Sequence, residues 1–130
     1  MKTVIPDTYA WIEYFRGTKE GKKARKYIDG DYELVVPSIV IAELRDKYVR
    51  NEMEGRWEKR RKFLKLKAEI DELGFDLAEK AAELKWELRE KYNDVGMADA
   101  IILAHTQEKD AKLLTGDKHL THREEVEDLR

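Results

Sequence analysis

Apolar residues fall along this chain in two rhythms. Short runs bounded by proline, glycine or acidic residues recur at Thr3-Val4-Ile5, Glu33-Leu34-Val35-Val36 and Lys112-Leu113-Leu114-Thr115. Runs of this length and composition predict buried strands. Between them the apolar spacing lengthens to three and four, the helical period. It predicts a helix from Thr8 to Phe15, capped by Thr8 and stopped by Gly17, and a second from 19 to 28 ended by Asp29-Gly30. Pro37-Ser38 switches the chain into a helix that runs to Asn51, with Ser38 as its cap. A break at Gly55 precedes a helix over 56–69, with Trp57, Phe63, Leu64 and Leu66 as its apolar contacts. A short strand is expected over 72–75. Asp76-Leu77-Ala78-Glu79 matches a capping box with Asp76 as cap, and Leu77, Ala81, Leu84, Leu88 and Tyr92 share one face of the helix that follows. The turn Asn93-Asp94-Val95-Gly96 opens the least polar helix, which begins at Met97 and reaches His105. After Leu120 the charged tail has no strand pattern, so a final strand is expected to be missing or rudimentary. Trp11, Trp57 and Trp86 lie on apolar helix faces and are expected in the core or at an interface between copies.

Strands alternating with helices predict an α/β fold: a three-layer α/β/α sandwich with a small, mostly parallel central sheet and right-handed crossovers. With 130 residues the chain is expected to form one domain, 1–130. The absence of cysteine excludes disulfides, thiolate metal sites and a cysteine nucleophile. No signal-like or membrane-length apolar run occurs, so a cytoplasmic protein without membrane association is expected. Charge sharpens the picture through its distribution rather than its sum of −2. Residues 44–67 carry ten basic and four acidic side chains, whereas 68–130 carry nine basic and seventeen acidic. That asymmetry suits either a polyanion-binding segment or a solvated helix face.

Four carboxylates stand out within this pattern. Asp7 and Asp117 lie just past the ends of predicted strands, at the edge where open α/β sheets bind ligands. Glu43 and Asp99 lie in the first two turns of helices that start at that same edge. Each has an ordinary structural reading: Asp7 as a cap, Glu43 paired with Lys47, Asp99 offsetting the helix dipole, Asp117 in a turn. Gathered together, the four would repel unless neutralised. Hard oxygen donors without cysteine favour Mg²⁺ or Mn²⁺. Such a site points to metal-assisted hydrolysis of a phosphodiester.

At these residues the chain resembles the PIN-domain family, and within it the toxin ribonucleases of VapBC toxin–antitoxin pairs. The resemblance rests on Val4-Ile5-Pro6-Asp7-Thr8, Pro37-Ser38-Ile39-Val40-Ile41-Ala42-Glu43-Leu44, Met97-Ala98-Asp99-Ala100-Ile101-Ile102-Leu103-Ala104 and Leu113-Leu114-Thr115-Gly116-Asp117-Lys118-His119-Leu120. It implies that Asp7, Glu43, Asp99 and Asp117 are the metal-binding, catalytic acids and that Thr115, with Thr8, lines the site. It further implies a homodimer, metal-dependent endonucleolytic cleavage of RNA, and an antitoxin that blocks the site. Arg56, Lys59, Arg60, Arg61 and Lys62 are candidate contacts to RNA phosphates or to an acidic antitoxin segment. Tyr9 departs from the family pattern, which commonly has a small polar residue there.

Two alternatives are a catalytically silent PIN-like binding module and a Mg²⁺-dependent phosphotransfer domain. The second fares poorly against the residues. A haloacid-dehalogenase-like site would need an acid where Tyr9 stands, and a receiver domain would need an acidic pair where Asp7 has only Thr8. His105 is read as a helix-end contact, and His119 and His122 as solvated loop residues.

Overall fold

The computed structural model describes residues 2–130. Five strands, β1 (Thr3–Pro6), β2 (Glu33–Pro37), β3 (Glu69–Asp71), β4 (Lys112–Thr115) and β5 (Val126–Asp128), form one sheet in the order β3-β2-β1-β4-β5. All neighbouring pairs are parallel, with Val4 level with Leu34 and with Lys112. The helices are α1 (Thr8–Arg16), α2 (Lys19–Ile28), α3 (Ser38–Arg50), α4 (Glu54–Lys67), α5 (Phe75–Arg89) and α6 (Met97–Glu108). Right-handed crossovers from β1 outward to β3 place α1 to α4 on one face, and the return from β3 to β4 places α5 and α6 on the other. This is the three-layer sandwich expected from the sequence.

Covered on both faces, the central strands bury Val4, Ile5, Leu34, Val35, Val36, Leu113 and Leu114 almost completely. Trp11 and Ile28 seal one layer, while Leu103 and Ala104 of α6 seal the other. Trp11 also stacks with Phe15 and meets Phe63 edge-on, which ties α4 to α1.

Several boundaries differ from the sequence reading. Asp7, not Thr8, caps α1, because its Oδ1 accepts the Ala10 N–H at 2.8 Å. Thr8 becomes the first helical residue, and Gly17, at φ 69°, ends the helix. Pro37 rather than Ser38 occupies the cap position of α3, without a side-chain bond. The break after α3 falls at Asn51-Glu52-Met53, and Gly55 lies inside α4. There the Glu52 N–H donates to the Val49 carbonyl and the Met53 N–H to that of Tyr48, with Glu52 at φ 55°. These paired bonds are a Schellman terminus, which stops a helix without needing glycine. Leu66 is 90% exposed, since it points away from the buried Trp57 and Leu64 face.

The third strand sits at 69–71, three residues earlier than expected. Its one apolar residue, Ile70, is 39% exposed at the sheet edge, so pairing with Val35–Pro37 places it rather than a hydrophobic pattern. Gly74, not Asp76, caps α5. Tyr92 lies beyond that helix, although Leu77, Ala81, Leu84 and Leu88 are buried as expected. A fifth strand does form in the charged tail, anchored by the buried Val126 and Leu129. Trp86 is 64% exposed beside Lys85 and Arg89, so it belongs to the surface and not the core. Among the described residues no helix is long and apolar enough to cross a membrane.

Candidate active site

The carboxyl-terminal edge of the sheet is built by turns in which strand hands over directly to helix or loop. β1 ends at Pro6, and the Asp7 N–H donates to the Leu114 carbonyl at 3.0 Å, so Asp7 is held beside β4. β4 ends at Thr115, whose hydroxyl accepts the Asp117 N–H at 3.0 Å and lies in hydrogen-bonding reach of the Asp7 carboxyl. One buried threonine thus ties two of the four acids together. From the first helical position of α1, Thr8 donates its hydroxyl to Glu43 Oε1 at 2.5 Å. That bond orients Glu43 toward the edge, in place of the pairing with Lys47 open to it from sequence. Asp99 occupies the first turn of α6, and its carboxyl is bonded by the Gly96 backbone, the reciprocal half of a helix cap. Asp117 accepts the His119 N–H at 2.9 Å and so also shapes its own turn.

Electrostatics shows that the acids share one environment. Burial pushes the Asp7 carboxyl up to about 7; its bonds to Thr115 and Ala10 oppose the rise, and the charges of Asp99 and Glu43 add to it. Burial also raises Asp99, with Asp117 and then Glu43 adding repulsion and the Gly96 bond acting against them. Each ordinary structural role seen for Asp7, Asp99 and Asp117 is therefore real, and each residue also belongs to a mutually repelling group.

This donor set suits a hard divalent cation: it is all oxygen, crowded with negative charge, and backed by hydroxyls that fix two ligands. Among the described residues no group of three or more His, Cys, Asp or Glu side chains is placed so that it could hold a metal ion as it stands. The carboxylates stand as neighbours that repel.

Comparison with known proteins resolves what kind of domain carries this edge. The PIN domain profile matches residues 4–126. The chain belongs to the PIN domain family. A search of curated proteins finds no match. Among solved structures, a toxin–antitoxin complex from Klebsiella pneumoniae superposes with a TM-score of 0.72 at 23% identity, covering 98% of each chain. VapBC2 from Rickettsia felis, bound to a DNA fragment from its promoter, gives 0.77 at 21% identity, over 97% of this chain and 98% of that one. VapC20 from Mycobacterium tuberculosis, a sarcin–ricin loop cleaving toxin, gives 0.68 at 18% identity, over 88% and 91%. These likenesses establish a shared PIN fold.

Around the PIN site the remaining candidates separate. Arg56, Lys59, Arg61 and Lys62 are exposed on α4. Arg60 is not free: its guanidinium lies 4.5 Å over the Phe15 ring and its Nε donates to the Tyr48 hydroxyl at 3.3 Å. His119 contacts the Asp94 carboxylate at 3.1 Å and packs on Tyr92, near enough to Asp99 to act on its charge, so it has partners that a solvated loop histidine lacks. His105 is fully buried, and its Nδ1–H donates to Asp71 at 2.6 Å, which pins α6 to β3. Sequence reasoning missed Arg130, which lies over the Tyr9 ring at 4.8 Å. The one signal for it was the unusual Tyr9 itself.

Proposed function

We propose that this PIN domain is a metal-dependent endoribonuclease, the toxin half of a toxin–antitoxin pair. One observation carries the reading: four carboxylates from separate segments gather at one sheet edge, where burial and mutual repulsion push Asp7 up to about 7. Such a group is unfavourable alone and is relieved by a divalent cation. Asp7, Glu43, Asp99 and Asp117 would hold Mg²⁺ or Mn²⁺. A bound ion of this kind activates water and offsets charge developing on a phosphate. The chain's own contribution is preorganisation. Thr8 fixes Glu43, Thr115 fixes Asp7 and the Asp117 turn, and α6 presents Asp99 from a buried apolar base. Likeness to VapBC structures supports a cognate antitoxin as partner, and likeness to a sarcin–ricin loop cleaving toxin supports RNA as substrate; a homodimer and a cytoplasmic setting are carried over from the family resemblance alone. The exposed bases of α4 offer contacts to either polyanionic RNA or an acidic antitoxin segment.

Incubation with single-stranded RNA, with Mg²⁺, with EDTA and as Asp7→Asn, tests the reading. Cleavage is expected only for the unsubstituted chain with metal. Cleavage that survives both EDTA and Asp7→Asn overturns the metal mechanism. No cleavage of any RNA, with tight antitoxin binding retained, would instead identify a silent binding module.

A further inference from the structure

A phosphodiester approaching four carboxylates meets repulsion before it can reach any ion held there. A cation at the rim would lessen that barrier. The tail supplies one. Leu129 is fully buried and its N–H donates to the Thr115 carbonyl at 2.9 Å, so the chain past β5 is fastened to the strand that leads into Asp117. The next residue, Arg130, has its backbone N–H bonded to the Asp128 carboxylate at 2.9 Å and its guanidinium 4.8 Å over the Tyr9 ring. Gly116 completes the cradle. A Cβ there would stand 2.5 Å from Tyr9 Cε1 and 2.8 Å from Arg130 Nε, so only glycine admits both side chains. Tyr9 lies two residues after Asp7, and Gly116 immediately before Asp117.

The guanidinium, which also reaches the Tyr9 hydroxyl as a hydrogen-bond donor, is unspent on any carboxylate. Arg16, Arg45, Arg50 and Arg123 are each paired with a carboxylate. Among the described residues no ion pair engages Arg130, which is exposed. Stacking on an aromatic face leaves the planar edge of a guanidinium open, and that edge matches two phosphate oxygens.

We propose that Arg130, held in a cradle of Tyr9 and Gly116, binds a backbone phosphate of RNA entering the carboxylate site. This rests on the nuclease reading above and assigns a substrate contact to that same site. Tyr9 is then a positioning residue, and its departure from the family's small polar residue is the feature that seats the arginine.

Fluorescence anisotropy with a short labelled single-stranded RNA, on the non-cleaving Asp7→Asn background across a salt series, tests it. Arg130→Ala is expected to weaken binding roughly tenfold and to lower the salt slope by about 0.7, the counterion release expected for one phosphate on a single strand. Arg130→Lys should keep the slope, because it keeps the charge. In the cleaving chain Arg130→Ala should raise KM more than it lowers kcat. Thermal melts of Arg130→Ala and Arg130→Gln monitor folding. Unaltered affinity and slope in these variants, or unfolding of both, overturns the proposal. A chain that cleaves RNA with an indifferent Arg130 overturns this inference alone. One that neither cleaves RNA nor binds it as Asp7→Asn overturns the nuclease reading as well.

Discussion

Asp7 is asked to do two things that pull its carboxyl in opposite directions. Capping α1 through the Ala10 N–H favours the charged form, as does the Thr115 bond, whereas burial, Asp99 and Glu43 favour the neutral one and prevail, at about 7 against an ordinary 3.8. A raised carboxyl pKa means that the folded chain holds this proton more tightly than the unfolded chain does. The stability that this carboxyl contributes to metal-free protein is therefore fully present below about pH 4 and is lost as pH rises toward 7, with a slope of up to about 1.4 kcal/mol for each pH unit. Asp99, also raised, acts in the same sense. Asp7→Asn keeps a competent cap and removes the buried charge. In EDTA it should melt above the unsubstituted chain at pH 8, and the gap should close near pH 4. Melts followed by circular dichroism across that range check this, and equal melting at pH 8 would count against the repulsive site. Added Mg²⁺ or Mn²⁺ should raise the melting temperature of the unsubstituted chain at pH 8 and leave Asp7→Asn nearly unmoved, by linkage of binding to folding.

At the scale of elements, the stop after α3 shows what local pattern conveys and what it does not. Glu52 adopts φ 55° within a Schellman terminus, a conformation that glycine takes without the steric cost of a Cβ. Glu52→Gly should therefore stabilise the chain or leave it level, by up to about 1 kcal/mol, despite the flexibility glycine adds to the unfolded state. Urea unfolding would show a midpoint at or above the parent's; a clear fall would mean that the Glu52 side chain contributes something else. Sequence alone puts the break at Gly55, because a lone glycine is the stronger local signal. The buried strands β1, β2 and β4 were legible, since their apolar runs are dictated by cover on both faces. The edge strands were not. β3 has only Ile70 to show and β5 lies in a charged tail, so both are fixed by partners distant in sequence. The site divides the same way. Its four acids follow from where strands end and helices begin, but the Thr8–Glu43 bond spans 35 residues and the Arg130–Tyr9 stack joins the two ends of the chain, beyond any local rhythm.

Across the whole molecule, charge is sorted in space as well as along the chain. The basic excess of residues 44–67 lies largely on α4, while the carboxylates collect at the sheet edge with Arg130 near their rim. Much of the basic excess on α4 is uncommitted: Arg56, Lys59, Arg61 and Lys62 project into solvent, whereas Arg60 is occupied in fastening α4 to Phe15 and Tyr48. A polyanion held along α4 would be kept at the molecule while one phosphate enters the acidic edge, and its grip would weaken with salt. Replacing Arg56, Lys59, Arg61 and Lys62 together with glutamine should move the melting temperature by less than about 8 °C, because exposed substitutions of this kind seldom exceed about 0.5 kcal/mol each and about 1 kcal/mol moves a domain of this size by roughly 4 °C. The same variant should bind single-stranded RNA more weakly at low salt, with a salt slope reduced by about 0.7 for every phosphate that is no longer neutralised. Arg60→Gln should do the reverse: it lowers the melting temperature by uncovering Phe15 and the Tyr48 hydroxyl, yet changes the slope little. Anisotropy titrations at several salt concentrations, beside melts of both variants, separate the two. If the fourfold variant keeps the parent's slope, α4 does not hold RNA, and its basic face is either a contact for an acidic partner segment or an ordinary solvated helix face.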